Sequence, residues 1–537
     1  MLYHGGIKMK KKWNLAKAFQ FILISLFVVT SLTWIGSFKS GYHVDEMYTF
    51  GLANHQYDGS IQPSIQDEMS YTGQQLWQEY ITVDESHTFD YGNVLVNQQN
   101  DVHPPLYYIL IHTVCSFFPL TFGVWMGLAV NVGLAVIVFW QMVWLFYHFV
   151  SDRKIAIIFS LLFLFTMGFI NNVVFFRMYV LLTIWTNFLT ILFCKYQPGD
   201  SRKIYYFLLT LILVGGTMTQ YYFLIFAFFS CLIYGIFIIK VKNWKKLMLS
   251  VLSAGVSFTI SSFLFPAMWD QIFDGYQGEI AFSNLSEKSM WSSLWTFLNT
   301  INRQVFGNLF VFLFFAIVLL YIISTENSKI RICRTEKSRI GGGAFAREEI
   351  SAYLQLLIPT VCDILLIAKI SPFDTDRYVM NVMGIIYLLV FAPLILFSGR
   401  FTKKAVSGIL ALAFMTLFCS YQGGVPYLYS SERENVEVVE ELWTDVPCLY
   451  IYDGSMHVMP NYQDMAGLDQ IVFLRSDHLD KLREESYQNY DKLLVYIVNT
   501  IDAEADDVLQ QLLENNPGLD TYKTLFSYGY STAYYLE

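Results

Sequence analysis

The chain has 537 residues, of which 55% are hydrophobic, 18% aromatic and only 15% charged, with a mean hydropathy of +0.41. That balance excludes an ordinary soluble domain and marks a polytopic membrane protein. The net charge of −9 argues against nucleic acid as a partner, and its acidic excess falls mostly in the last stretch of the chain.

The amino end, IKMKKKWNLAK, precedes the apolar run Leu15 to Phe38. No small-residue cleavage site follows that run, and its length suits a retained span. Lys10, Lys11 and Lys12 are expected to hold the amino end in the cytoplasm, so that YHVDEMYTF (Tyr42 to Phe50) emerges on the outer face with two adjacent carboxylates, Asp45 and Glu46. The next apolar segment, PPLYYILIHTVCSFF (Pro104 to Phe118), is short for a crossing and opens on two prolines. If it spanned, SDRK (Arg153, Lys154) and the basic loops after it would fall outside. Those are KYQPGDSRK (Lys195, Arg202, Lys203), KVKNWKK (Lys240 to Lys246), KIRICRTEKSR (Lys329 to Arg339) and GRFTKK (Arg400 to Lys404). The positive-inside rule makes the segment an outer juxtamembrane helix or a re-entrant one.

Further spans are expected near 121–148, 155–171, 179–194, 204–217, 221–239, 247–265, 305–323, 352–370, 378–397 and 405–420, about eleven with the first. An odd count leaves the tail 421–537 outside, on the same face as Asp45. The expected architecture is therefore mainly α: a membrane body over 1–420, whose first outer loop is 39–120, followed by an extracytoplasmic α/β domain. In that tail PCLYIYD, QIVFLR and KLLVYIV read as strands alternating with the helical stretches ERENVEVVEELW, SDHLDKLREES and AEADDVLQQLLENN. TYKTLFSYG and STAYYLE read as closing antiparallel strands. No Gly-rich phosphate loop follows any of them. The seven cysteines form no C-x-x-C pair and have no histidine at metal spacing, so neither a zinc site nor a disulfide framework is expected.

The unusual polar residues collect on one face: Asp45 and Glu46, Asp101 and His103 of QNDVHPPLYYILIH, Arg177 within the apolar stretch Ile155 to Phe193, and Arg377 of SPFDTDRYVMNV. Singly, acids at a membrane exit are solvated interface residues and arginines snorkel to headgroups. Together, carboxylates and guanidiniums at bilayer depth suit a substrate that joins a lipid-linked anion to a hydroxyl, because arginine grips phosphate oxygens with a planar fork. A carboxylate beside it can take a hydroxyl proton or steady an oxocarbenium-like centre.

DVHPPL (Asp101 to Leu106) is similar to a signature of the protein O-mannosyltransferases, and VDEMY, FFRMYVLL (Phe175 to Leu182) and TDRYVM (Thr375 to Met380) resemble motifs of the wider GT-C superfamily. The resemblance is carried mainly by residues 13–240. It implies a membrane glycosyltransferase of bacterial type, fed by a polyprenyl-phosphate sugar and acting on an acceptor in the cell envelope, whether glycan, lipid or protein. Asp45 is the implied catalytic base with Glu46 beside it, and Arg177 and Arg377 are implied to hold the donor phosphate. Asp101, His103, Tyr107, Tyr179 and Tyr378 are implied as first-loop supports or substrate contacts. The family has metal-dependent and metal-independent members; no cofactor is expected to be required, a divalent metal being the alternative. The chain lacks the K-P-P form of the lipid A aminoarabinose transferases and any MIR-type domain, which weighs against those two acceptor classes. The competing functions are a flippase for lipid-linked glycans, for which intramembrane arginines are also expected, and an anchored partner-binding tail, for which eleven spans are excessive.

Overall fold

A computed structural model describes residues 15–200, 202–334, 347–399, 403–442, 444 and 446–537. Lys10 to Lys12, Lys337, Arg339 and Arg400, on which part of the charge argument rests, lie outside the described residues. Six helices are long and apolar enough to cross a bilayer: Ala16–Gly36, Val124–Val150, Phe223–Lys240, Trp244–Leu264, Ser351–Ile370 and Ala405–Gly423. Two bent pairs raise this to eight if each is one span. The chain is thus a multi-pass membrane protein, while length and composition alone stop short of the expected eleven crossings.

Both bends have local causes. The segment expected as one span over 155–171 is two helices, Arg153–Leu164 and Met167–Val174, bent by 62°. Thr166 starts the second helix: its hydroxyl accepts the Phe169 N–H, the role of an N-cap. The span expected at 305–323 follows Met290–Phe306 after a turn of 76°. There Gly307 caps the first helix in the left-handed region (φ 57°), where a side chain is disfavoured, and Asn308 follows it at φ 66°.

The Pro-flanked segment forms the helix Leu106–Ser116. Eleven residues reach only about 16 Å, roughly half the hydrocarbon thickness. The helix packs instead against Val44–Asn54, the first helix of the same outer loop.

The tail carries a six-stranded sheet whose spatial order is Ser70–Tyr71, Ile471–Arg475, Cys448–Tyr452, Leu493–Val498, Ser531–Leu536 and Tyr522–Tyr528. Strands β2 (Cys448–Tyr452), β3 (Ile471–Arg475) and β4 (Leu493–Val498) run parallel. β5 (Tyr522–Tyr528) and β6 (Ser531–Leu536) close the sheet antiparallel. SDHLDKLREES is a 3-10 segment, Ser476–Arg483, broken at His478, rather than an α-helix. One edge strand was not expected: β1 is Ser70–Tyr71 of the first loop, paired antiparallel with β3. β2 and β4 are buried on both faces, as parallel strands are. Leu449, Ile451 and Val495 pack with Leu509 and Leu512 of the helix Ala505–Asn515. On the other face Tyr450, Phe473 and Tyr496 belong to the core that continues into the helical body. The sheet is therefore built onto the membrane body by its own alternation.

Candidate functional site

The stretch HVDE builds the first half of the site. His43 is the N-cap of Val44–Asn54, its Nδ1 accepting the Asp45 N–H at 3.1 Å, and Glu46 Oε2 accepts the His43 N–H in return at 2.8 Å. This reciprocal capping box fixes the first turn. Asp45 then points its carboxylate outward, 23% exposed, while Glu46 is driven inward and fully buried.

The two acids consequently live in different surroundings. Glu46 spends both oxygens inside the protein: Oε1 accepts the Phe176 N–H at 2.9 Å, and the carboxylate is paired with Lys39 Nζ at 3.1 Å. Burial pushes the Glu46 carboxyl up and the Lys39 amine down, and each charge opposes the other's shift. Lys39 is further surrounded by the rings of Tyr42, Phe176 and Tyr429 at 5.1–5.3 Å and donates to the Tyr427 carbonyl at 2.7 Å. The Glu46–Lys39 pair thus clamps together the end of the first span, the residue before Arg177, and the segment after the last span.

Arg177 lies in the break between Met167–Val174 and Tyr179–Lys195. Its Nη1 donates to the Asp45 carbonyl, the Thr49 hydroxyl and the Tyr108 hydroxyl at 3.0–3.1 Å, and Nη2 sits 3.3 Å from His103 Nε2. His103 is in turn held by Asp101 through Nδ1 at 3.0 Å. Tyr107 does not reach the guanidinium. Its hydroxyl donates to Asn131 at 2.9 Å, and Asn131 donates to the Val173 and Phe175 carbonyls, so it supports the break that carries Arg177.

Arg377 comes from the short 3-10 turn Asp376–Val379 and pairs through Nη1 with the Asp45 carboxylate. Its guanidinium lies over the rings of Tyr378 and Phe373 at 5.4 and 5.7 Å. The flanking Asp376 is fixed by Tyr427 at 2.7 Å and Gln304 at 3.0 Å. Tyr179 stacks on Phe175, and Phe175 stacks on Tyr427. Sequence reasoning missed Thr49, Tyr108, Asp376, Tyr427 and Lys39. Thr49 stood in YHVDEMYTF, Tyr108 beside Tyr107 in QNDVHPPLYYILIH and Asp376 in TDRYVM, each without an assigned role, whereas Lys39 and Tyr427 lay outside every quoted stretch and meet the site through tertiary contact alone.

Burial works to raise the Asp45 carboxyl, and the charges of Arg177 and Arg377 outweigh it, holding the group at about 2. Arg177 and Arg377 each retain a buried Nε–H without a partner among the described residues, an uncommon state for a native donor.

A group able to hold a metal ion, among the described residues, lies elsewhere: Asp67, Glu68 and His478 bring ligand atoms within 4.8 Å at the β1–β3 edge. These side chains already serve the join, since Asp67 accepts the Arg475 N–H at 2.7 Å and Glu68 pairs with Lys481. A cavity of about 440 Å³, lined by Asn54, His55, Glu79 and Tyr80 among others, opens at the opposite end of Val44–Asn54 and does not include Asp45.

No family model matches the sequence, and no curated protein matches it. Three-dimensional similarity is found. The crystal structure of ArnT from Cupriavidus metallidurans bound to undecaprenyl phosphate aligns with a TM-score of 0.53 at 11% identity, over 97% of this chain and 98% of that one. The apo crystal structure of the same protein gives 0.51 at 10% identity over the same shares. The archaeal oligosaccharyltransferase AglB from Archaeoglobus fulgidus, in complex with an inhibitory peptide and a dolichol-phosphate, gives 0.41 at 9%, covering 97% of this chain and 74% of that one, too weak a likeness to build on. The chain shares the fold of these ArnT structures.

Proposed function

We propose that this chain is an inverting glycosyltransferase that moves a sugar from a polyprenyl-phosphate donor to an acceptor hydroxyl of the cell envelope. The observation that carries the reading is the pairing of Asp45 with Arg377 beside Arg177, with an unsatisfied buried Nε–H on each guanidinium. A phosphate oxygen is the acceptor such donors lack. The ArnT structure of this fold holds undecaprenyl phosphate, which supports the same class of lipid donor here.

In this reading the donor phosphate draws Arg377 away from Asp45. Loss of that ion pair frees the carboxylate and raises its basicity, so the base becomes competent only when donor is present. The acceptor oxygen attacks the anomeric carbon. A new C–O bond forms as the bond to the phosphate oxygen breaks, the proton passes to Asp45, and the electron pair leaves with the polyprenyl phosphate. A single displacement inverts the anomeric centre. The two guanidiniums supply the counter-charge, and no obligatory metal is invoked. Glu46, though an acid beside the base, acts through position.

The proposed topology counts Tyr179–Lys195, Ile204–Thr217 and Met383–Ser398 with the eight longer or bent spans, giving eleven crossings with Leu106–Ser116 along the outer surface. The amino end is then cytoplasmic and the C-terminal domain, 421–537, extracytoplasmic. The test compares wild type with Asp45→Asn for sugar transfer from a polyprenyl-phosphate donor, together with mass analysis of envelope glycans in cells with and without the protein. A missing side-branch sugar and a silent Asp45→Asn are expected. Undiminished transfer by a folded Asp45→Asn protein overturns the assignment.

A further inference from the structure

Besides its β1–β3 edge and its packed face, the C-terminal sheet brings one tip to the membrane body. Asp453 follows β2, Thr500 follows β4, and the β5–β6 turn Tyr528–Gly529–Tyr530 lies at the same end of the sheet. The turn is tight: Gly529 takes a left-handed φ of 61°, and a side chain there would press on Pro460 at 2.7 Å. The Asn499 N–H donates to the Tyr530 carbonyl at 2.7 Å, which fixes the tip against β4.

This tip is tied to the catalytic helix. The Tyr528 hydroxyl accepts the Tyr42 N–H at 3.0 Å and donates to the Tyr42 carbonyl at 2.9 Å, three residues before Asp45. Tyr530, half-buried and two residues beyond Tyr528 on the same tip, has its phenol pushed up first by burial and then by Asp45, with Arg377 opposing.

Around Tyr530 stand polar groups that the transfer step does not use. The His457 ring lies 4.8 Å from the Tyr530 ring. His457 Nδ1 is 2.5 Å from Asp453 Oδ1, and the Thr500 hydroxyl donates to Asp453 Oδ2 at 2.6 Å. The side chains of His457 and Asp453 remain 18% and 27% exposed, so the cluster is ordered yet open.

We propose that Tyr530, His457 and Asp453 form an acceptor-side subsite for a sugar ring, held beside Asp45 by the Tyr528–Tyr42 hydrogen bonds. The inference rests on the glycosyl-transfer reading and gives the C-terminal domain its task. An aromatic face receives the C–H face of a pyranose. A carboxylate already ordered by two donors keeps lone pairs for ring hydroxyls. The cluster offers an aromatic face and hydrogen-bonding groups without a guanidinium fork of its own, so a neutral sugar is the chemistry that fits.

The experiment uses the full chain in lipid nanodiscs and a panel of maltose, cellobiose, mannobiose and chitobiose, read by saturation-transfer NMR. At least one disaccharide is expected to bind wild type in the millimolar range. Tyr530→Ala and His457→Ala should weaken that sugar tenfold or more, while Tyr530→Phe, which keeps the ring, should stay within about twofold. No binding to wild type by any member of the panel, or binding indifferent to Tyr530→Ala, overturns the subsite. Equal loss in Tyr530→Phe and Tyr530→Ala also overturns it, since the ring face would then not be the contact. Binding of undecaprenyl phosphate to wild type, measured separately by native mass spectrometry, tests the donor reading. Lipid bound without sugar fails the subsite alone, and sugar bound without lipid fails the donor assignment alone.

Discussion

Glu46→Gln separates a catalytic acid from a structural one. In the wild type Glu46 accepts two backbone N–H groups, from His43 and Phe176, and pairs with Lys39 with no exposed surface on either side chain. Glutamine keeps the shape but presents one oxygen, so its amide nitrogen must face either an N–H donor or the Lys39 ammonium. Removing one partner of a buried ion pair leaves the other charge uncompensated and costs about 3–5 kcal/mol. At about 2 °C per kcal/mol for a large chain, the unfolding midpoint should fall by roughly 5–10 °C. The assay is thermal unfolding in nanodiscs beside the rate of sugar transfer at a temperature where the variant is folded. Lys39→Met combined with Glu46→Gln should recover more than half of the lost stability, because deleting both members of a buried pair is nearly neutral. A Glu46→Gln protein as stable as wild type yet devoid of transfer would refute the reasoning and return Glu46 to the chemistry.

Four other outcomes follow from the site. Asp45→Asn should lower the transfer rate by about 10²–10⁴ while leaving the fold intact, the usual contribution of a positioned base, read from single-turnover transfer. Arg177→Lys should weaken undecaprenyl phosphate binding by about 10–100-fold, since a point charge replaces a fork worth about 1.5–3 kcal/mol; unchanged affinity in native mass spectrometry would remove Arg177 from the phosphate site. The Asp45 carboxyl is lowered from 3.8 to about 2 in the folded chain, so its charge contributes stability that is present above pH 3.8 and fades as pH falls through 2. The unfolding midpoint of Asp45→Asn should therefore fall less steeply than that of wild type between pH 4 and 2. Donor binding that relieves Asp45 of Arg377 should also raise its pKa, giving net proton uptake near pH 4 and little at pH 7, measurable by calorimetry in buffers of different ionisation enthalpy; no uptake at either pH counts against the donor-gated base.

The apolar runs, the basic clusters between them and the acids at the first exit are local properties of the chain. They determined a polytopic membrane body, a mixed strand-and-helix tail and the gathering of Asp45, Arg177 and Arg377 as one set, because span length and side-chain solvation are legible residue by residue. The strands β2 to β6 were likewise legible from their β-branched and aromatic runs. The bends at Thr166 and Gly307 depend on single caps inside apolar stretches, which hydropathy does not register. Tertiary structure alone decided what each acid of the Asp-Glu pair meets. Adjacent residues on a helix point about 100° apart, so one capping box turned Glu46 into the protein against Lys39 and left Asp45 facing Arg377. It also decided that Ser70–Tyr71 would edge the distant sheet and that Tyr528 would hold Tyr42. Those contacts join residues hundreds of positions apart, and long-range pairing of that kind carries no signature in either partner's local sequence.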